Sequence, residues 1–178
     1  MFRKARKLAS EEELYAAGLR ALMRRAHSVY EMRQALERRA EEKSLARRVL
    51  ERLKREGLLD DARYARQFAR QHAESRRQGR FRIARDLRAR GVPDRHIEAA
   101  LEEIFAETDE AALVRKRIER RLRGLRGPLD AQRLASLYRS LMRAGFSSDL
   151  IRTELRAATR RDVEGLVEVE TSEDAEDG

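Results

Sequence analysis

Residues 57–101 read GLLDDARYARQFARQHAESRRQGRFRIARDLRARGVPDRHIEAAL, and this stretch decides the fold because it resolves into three helices with legible ends. Gly57 stops a preceding helix, and Asp60 and Asp61 can accept hydrogen bonds from the free N–H groups that open the next. From about Asp61, Tyr64, Ala65, Phe68 and His72 share one helical face, while Arg63, Arg66, Arg70 and Arg77 share the other. Gly79 breaks that pattern. A second helix turns Ile83, Ala84 and Leu87 inward and Arg82, Arg85 and Arg88 outward, and Gly91 closes it. Pro93 at a first-turn position, with Asp94 after it, opens a third helix whose buried face is Ile97, Leu101 and Ile104.

Similar signals extend in both directions. Met1–Ala9 reads as a flexible arm; Ser10 with Glu13 is a capping-box pattern opening a helix to about Ala26, with Leu14, Leu19, Leu22 and Met23 as its apolar residues. Ser28 with Glu31 repeats the box before Met32, Ala35 and Leu36, and a helix from about Lys43 carries Val49, Leu50 and Leu53 to Gly57. Beyond the central stretch, Thr108, Asp109 and Glu110 start a helix with Ala111, Val114, Ile118, Leu122 and Leu125 inward and Lys116, Arg120 and Arg123 outward. Gly124, Gly127 and Pro128 mark a loop. Asp130 caps a helix with Leu134, Leu137 and Leu141 inside and Gly145 at its end, and Ser147 or Ser148 caps a last one bearing Ile151 and Leu155.

The spacing is that of a repeat. Leu36, Leu50 and Leu53 recur 51 residues later as Leu87, Leu101 and Ile104, and Leu87, Gly91, Ile97 and Leu101 recur 54 residues later as Leu141, Gly145, Ile151 and Leu155. Three tandem three-helix units account for both offsets: 10–57, 58–107 and 108–160, each too small to bury its apolar face well without a neighbour.

Composition agrees with an all-α chain. Of 178 residues, 41% are hydrophobic and 41% charged, with two prolines and nine glycines to interrupt helices. The absence of cysteine removes disulfides and thiolate metal sites. MFRKARKLASEEELY lacks the apolar run of a signal peptide, and no stretch is long enough to span a bilayer, so a soluble cytoplasmic protein without membrane partners is expected. Eight of the 32 acidic residues follow Arg161 and no basic residue does, which leaves 24 acidic against 41 basic residues before it, a formal +17. Such a surplus favours a polyanionic partner. The bland alternative is that arginine serves as a helix-compatible solubilising residue. Residues 161–178 read as an acidic, largely disordered tail; LVEVE at 166–170 alternates like a strand but has no partner strand.

At RRAHSVYEMRQAL (24–36), GLLDDARYARQFA (57–69) and GRFRIARDLRARGVPDRHIEAAL (79–101) the chain resembles the RecX family, regulators of the RecA recombinase. Met32 stands where that pattern has Leu, and Ala40 where it has a helix-ending Gly. The resemblance implies an elongated, curved array of three helix-turn-helix-like modules that lies in the groove of a RecA filament on DNA and restrains ATP turnover and strand exchange.

No catalytic constellation stands beside this. His27, His72 and His96 have no metal-ligand spacing, no glycine-rich phosphate loop precedes a Lys-Ser/Thr pair, and Asp60 and Asp61 suit capping better than acid–base chemistry. No enzyme activity and no cofactor are expected. Tyr64 and Phe68 lie on the apolar face and belong to the core rather than to a base-stacking platform. Two functions remain: a regulator of a RecA-type filament, touching single- or double-stranded DNA weakly, or a direct DNA-binding protein using helix-turn-helix modules. The contact residues expected in either case are Arg63, Arg66, Arg70, Arg77, Arg82, Arg85, Arg88, Lys116, Arg120 and Arg123. GRFRIARD offers a groove only arginines, which suit phosphates at least as well as bases. A monomer is the default for a helical array without a spare apolar face.

Overall fold

The computed structural model describes residues 7–124 and 130–159. Leu125, Gly127, Pro128 and the acidic tail, with the readings attached to them, lie outside the described residues. Nine helices run through what is described: α1 (Glu11–Arg24), α2 (Val29–Arg39), α3 (Lys43–Arg55), α4 (Asp61–Glu74), α5 (Arg80–Arg88), α6 (Asp94–Glu107), α7 (Glu110–Arg123), α8 (Ala131–Ala144) and α9, residues 148–159. The all-α repeat fold is as expected: among the described residues extended pairing is confined to one isolated bridge, between Leu8 and Ala40.

The chain folds as two compact units. One takes the described residues up to Gln71 together with Ala84–Ala106, and the other takes His72–Ile83 with those from Glu107 on. In the first, Leu14 of α1, Met32 and Leu36 of α2, and Val49 and Leu53 of α3 are all buried in one cluster. Gly18 brings α1 close to it, since a Cβ there would stand 3.1 Å from Leu53 Cδ1. In the second, Val114 and Ile118 of α7, Leu137 and Leu141 of α8, and Phe146 and Ile151 form the core. Each such burial contributes about 1.5–3 kcal/mol.

Most helix ends follow the expected chemistry. Ser28 and Glu31 form a reciprocal capping box, Ser28 Oγ accepting from Glu31 N and Glu31 Oε2 from Ser28 N. Asp60 accepts from Ala62 and Arg63, Asp130 from Arg133, and Ser147 from Leu150. Asp61 does something different, reaching across to accept from Val29 N at the start of α2. Asp109 rather than Thr108 caps α7. Ser10 makes no side-chain cap, and Glu11 and Glu12 beside it pair with Arg48 and Arg52 of α3.

Several side chains sit elsewhere than the periodicity placed them. Met23 is 86% exposed. Nine residues at about 100° each carry it to the side of α1 opposite Leu14. Leu101 is half-buried, with Ala100 and Phe105 taking the inward positions beside Ile97 and Ile104. Arg77 falls after the end of α4, in the turn before Gly79, with a positive φ of 50°.

One device recurs at the end of each middle helix. The carbonyl of Arg90 accepts from Ser28 Oγ (2.6 Å), and that of Ala144 accepts from Gly79 N (2.9 Å). Ser28 and Gly79 directly precede α2 and α5, so in both cases the start of one middle helix meets the end of the next. The following glycine permits the approach: a Cβ on Gly91 would stand 2.4 Å from Tyr30 Cγ, and one on Gly145 would stand 2.3 Å from Arg82 N. At the end of α2 the donor lies ahead of α1. The segment expected to be a free arm supplies it: Leu8 N donates to Arg39 O (2.7 Å) and Leu8 O accepts from Glu41 N. Ala40 is extended there (φ −68°, ψ 144°), so this end has no need of a left-handed glycine.

Candidate functional site

The ten cations expected at a contact surface divide by what holds them. On α4, Arg63 donates to Gly57 O (2.7 Å), while Arg66 and Arg70 stand 4.0 and 3.8 Å from Glu103, a loose and exposed pairing. On α5, Arg88 pairs with Asp94 at 2.6 Å and Arg85 lies 4.0 Å from Asp86. Arg82 is half-buried with its backbone against Gly145, and so points outward less than the helical period implies. Arg77 is half-buried in its turn, where Arg117 donates through Nε to Arg77 O (2.9 Å) and through Nη2 to Arg76 O (2.8 Å). Lys116, Arg120 and Arg123 of α7 are exposed. They have no carboxylate partner among the described residues.

Of these three, Arg120 borders a cleft that the sequence pattern did not assemble. Arg117, Arg120 and Arg121 recur at i, i+3 and i+4 on α7, and Ser136, Ser140 and Arg143 at i, i+4 and i+7 on α8. These two stripes line a cavity of about 420 Å³, and no acidic side chain borders it. Burial, then repulsion from Arg120 and Arg77, pulls the Arg117 guanidinium below its ordinary pKa. The cleft therefore offers uncompensated positive charge beside two hydroxyls, the donor set that a phosphate or carboxylate oxygen requires. Arg117, Arg121, Arg143, Ser136 and Ser140 were missed. Their spacing was readable along each helix, but which face of α7 meets which face of α8 was not.

The other polar groups are structural. Asp60 is held below the usual carboxylate range by the Arg63 backbone N–H, with Ala62 adding to it, as suits a cap. His72 is buried with Nδ1 2.7 Å from Gln78 Oε1, and His27 Nδ1 lies 2.9 Å from Arg25 O. Among the described residues no three His, Cys, Asp or Glu side chains gather as a metal site would need, and no helix is long and apolar enough to cross a membrane.

Comparison with known proteins adds the lineage. The family models "RecX, second three-helix domain" and "RecX, third three-helix domain" match residues 60–101 and 107–155. The regulatory protein RecX of Halorhodospira halophila is 41% identical over 157 residues, which span 88% of this chain and 95% of that one. This chain belongs to the RecX family. A second RecX, from Trichlorobacter lovleyi, is 36% identical over 79% of this chain and 92% of its own. In structure, RecX from Lactobacillus salivarius superposes with a TM-score of 0.71 at 21% identity, covering 83% of this chain and 95% of that one. Another crystal structure, of a regulatory protein RecX, gives 0.67 at 23% identity, over 80% and 71%. These two likenesses concern the fold. Helices α4–α6 thus correspond to the second RecX domain, and the cleft between α7 and α8 lies within the third.

Proposed function

We propose that this RecX-family chain regulates a RecA-type recombinase, lying along the recombinase filament on DNA and restraining its ATP hydrolysis and strand exchange. The family supports the partner. The observation that carries the mechanism is the α7–α8 cleft, where four arginines and two serines meet without an acid among them. Contacts in this reading are to phosphates and acidic side chains together, with Lys116 and Arg123 extending the surface along α7 and Arg66, Arg70, Arg85 and Arg88 adding weaker, partly paired cations. Units at 10–57, 58–107 and 108–160 act in tandem, and linked weak sites gain affinity through effective concentration. The chain performs no chemistry of its own, needs no cofactor, and works as a cytoplasmic monomer.

Direct DNA recognition is the second reading. A competition experiment separates the two: a filament regulator binds the nucleoprotein filament far more tightly than bare DNA, with little sequence preference, whereas a base reader prefers one duplex sequence over others. Stronger binding to a particular bare duplex than to the filament would replace the regulatory reading with the DNA-binding one.

A further inference from the structure

The α7–α8 cleft has a counterpart of opposite character. Helix α8 has 14 residues where α5 has nine. Counted back from the closing glycines, Leu137 and Leu141 occupy the places of Ile83 and Leu87. By the same count Leu134 and Ala135 stand where α5 has Arg80 and Phe81, and Ala131 lies in the turn that α8 adds at its start. With Tyr138 of α8 and Leu155 and Thr159 of α9 they line a groove of about 450 Å³ whose surface is almost wholly apolar. Leu134 and Tyr138 remain only half-buried there. Its charged members are all of one sign: Arg139, Arg152 and Arg156 rim it, exposed and without a carboxylate partner among the described residues. An occupant must be apolar along its length and acidic at its edges.

The chain carries such a segment three residues beyond the groove. DVEGLVEVE at 162–170 places Val163, Leu166, Val167 and Val169 among Asp162, Glu164, Glu168 and Glu170, with no basic residue. Thr159 itself lines the groove, so the connection is short. A tether of this length presents its segment at an effective concentration on the order of millimolar, enough for a modest interface to stay occupied. We propose that residues 162–170 dock in the groove between α8 and α9, their apolar side chains against Leu134, Tyr138 and Leu155 and their carboxylates toward the three rim arginines.

The chain has no cysteine, so Ser172→Cys gives a single attachment point for a nitroxide beside the docked segment. In the full-length labelled protein, the amide signals of 131–139 and 152–159 should be lost to paramagnetic broadening. They should return with Tyr138→Glu, and again with Arg152→Glu/Arg156→Glu, whose exposed positions keep the helices folded. Three outcomes overturn the proposal: groove signals that are unaffected by the label, broadening that survives in both variants, or broadening that arises when labelled chain is mixed with unlabelled isotope-enriched chain. The last would assign the groove to a second copy.

Discussion

Three glycines share a left-handed backbone and differ in what surrounds them. Gly57, Gly91 and Gly145 have φ of 69°, 70° and 92°. A Cβ on Gly57 would meet nothing within 4 Å, whereas one on Gly91 or Gly145 would overlap Tyr30 or the Arg82 backbone. Gly57→Ala should therefore cost only the backbone term, about 1 kcal/mol. Gly91→Ala and Gly145→Ala should cost at least about 1–3 kcal/mol more, because overpacking is added. Urea unfolding of the three variants measures the difference, and equal losses would deny the close junctions. Glu31 allows a second residue-scale test. Burial raises its pKa, yet hydrogen bonds from Arg25 and Ser28 N hold it below the ordinary 4.5. A carboxylate depressed by folding stabilises above its unfolded pKa and loses that contribution as pH falls through the folded one. Glu31→Gln should be less stable than the parent near neutrality, and the gap should close at acid pH below the usual carboxylate range. The gap persisting there, in thermal unfolding across pH, would mean that charge is not what the box contributes. At this scale the sequence was informative about Tyr64, Phe68, Ile83 and Leu87, where the period is clean. It misplaced Met23, because α1 is packed through Ala17, Gly18 and Ala21, small residues that a search for large apolar side chains passes over.

Among elements, the α7–α8 cleft gathers four arginines with no acidic side chain bordering it. Reversing Arg120, Arg121 and Arg143 to Glu should leave helical content unchanged, since all three are exposed, and should weaken binding to DNA and to the filament. If the cleft holds phosphates, the slope of log affinity against log salt should fall by about 0.7–0.9 for each phosphate that is no longer neutralised. An unchanged slope would remove the cleft from the binding surface. Reversing Arg82, Arg85 and Arg88 together is a poorer test, because Arg82 is half-buried against Gly145 and the helix end would suffer with the charge. Deleting residues 162–178, which removes eight carboxylates, should tighten binding to bare DNA at low salt. Unchanged affinity would dismiss a screening role for that segment. The helices themselves were legible because caps, apolar spacing and glycines agreed from Ser28 to Gly145. The pairing of Leu8 with Ala40 was not, since it depends on which carbonyl is left open at the end of α2, and no local pattern reports that.

Across the whole chain, the repeat offsets of 51 and 54 residues seen in the sequence return as equivalent hydrogen bonds at Arg39, Arg90 and Ala144. The division into two compact units was beyond sequence reading. It follows from the turn at 76–79 and the start of α5, whose backbone groups are held by the Arg117 guanidinium and by the carbonyls of Ala144 and Gly145, contacts that no side-chain period records. What the molecule does depends on whether its arginine surface meets a filament. The most direct measurement is ATP turnover by the cognate RecA-type recombinase on single-stranded DNA, with and without the full-length chain. Turnover should fall as the chain is added, with relief by the Arg120, Arg121 and Arg143 reversals; turnover unaffected by the parent chain at saturating concentration would contradict the regulatory account.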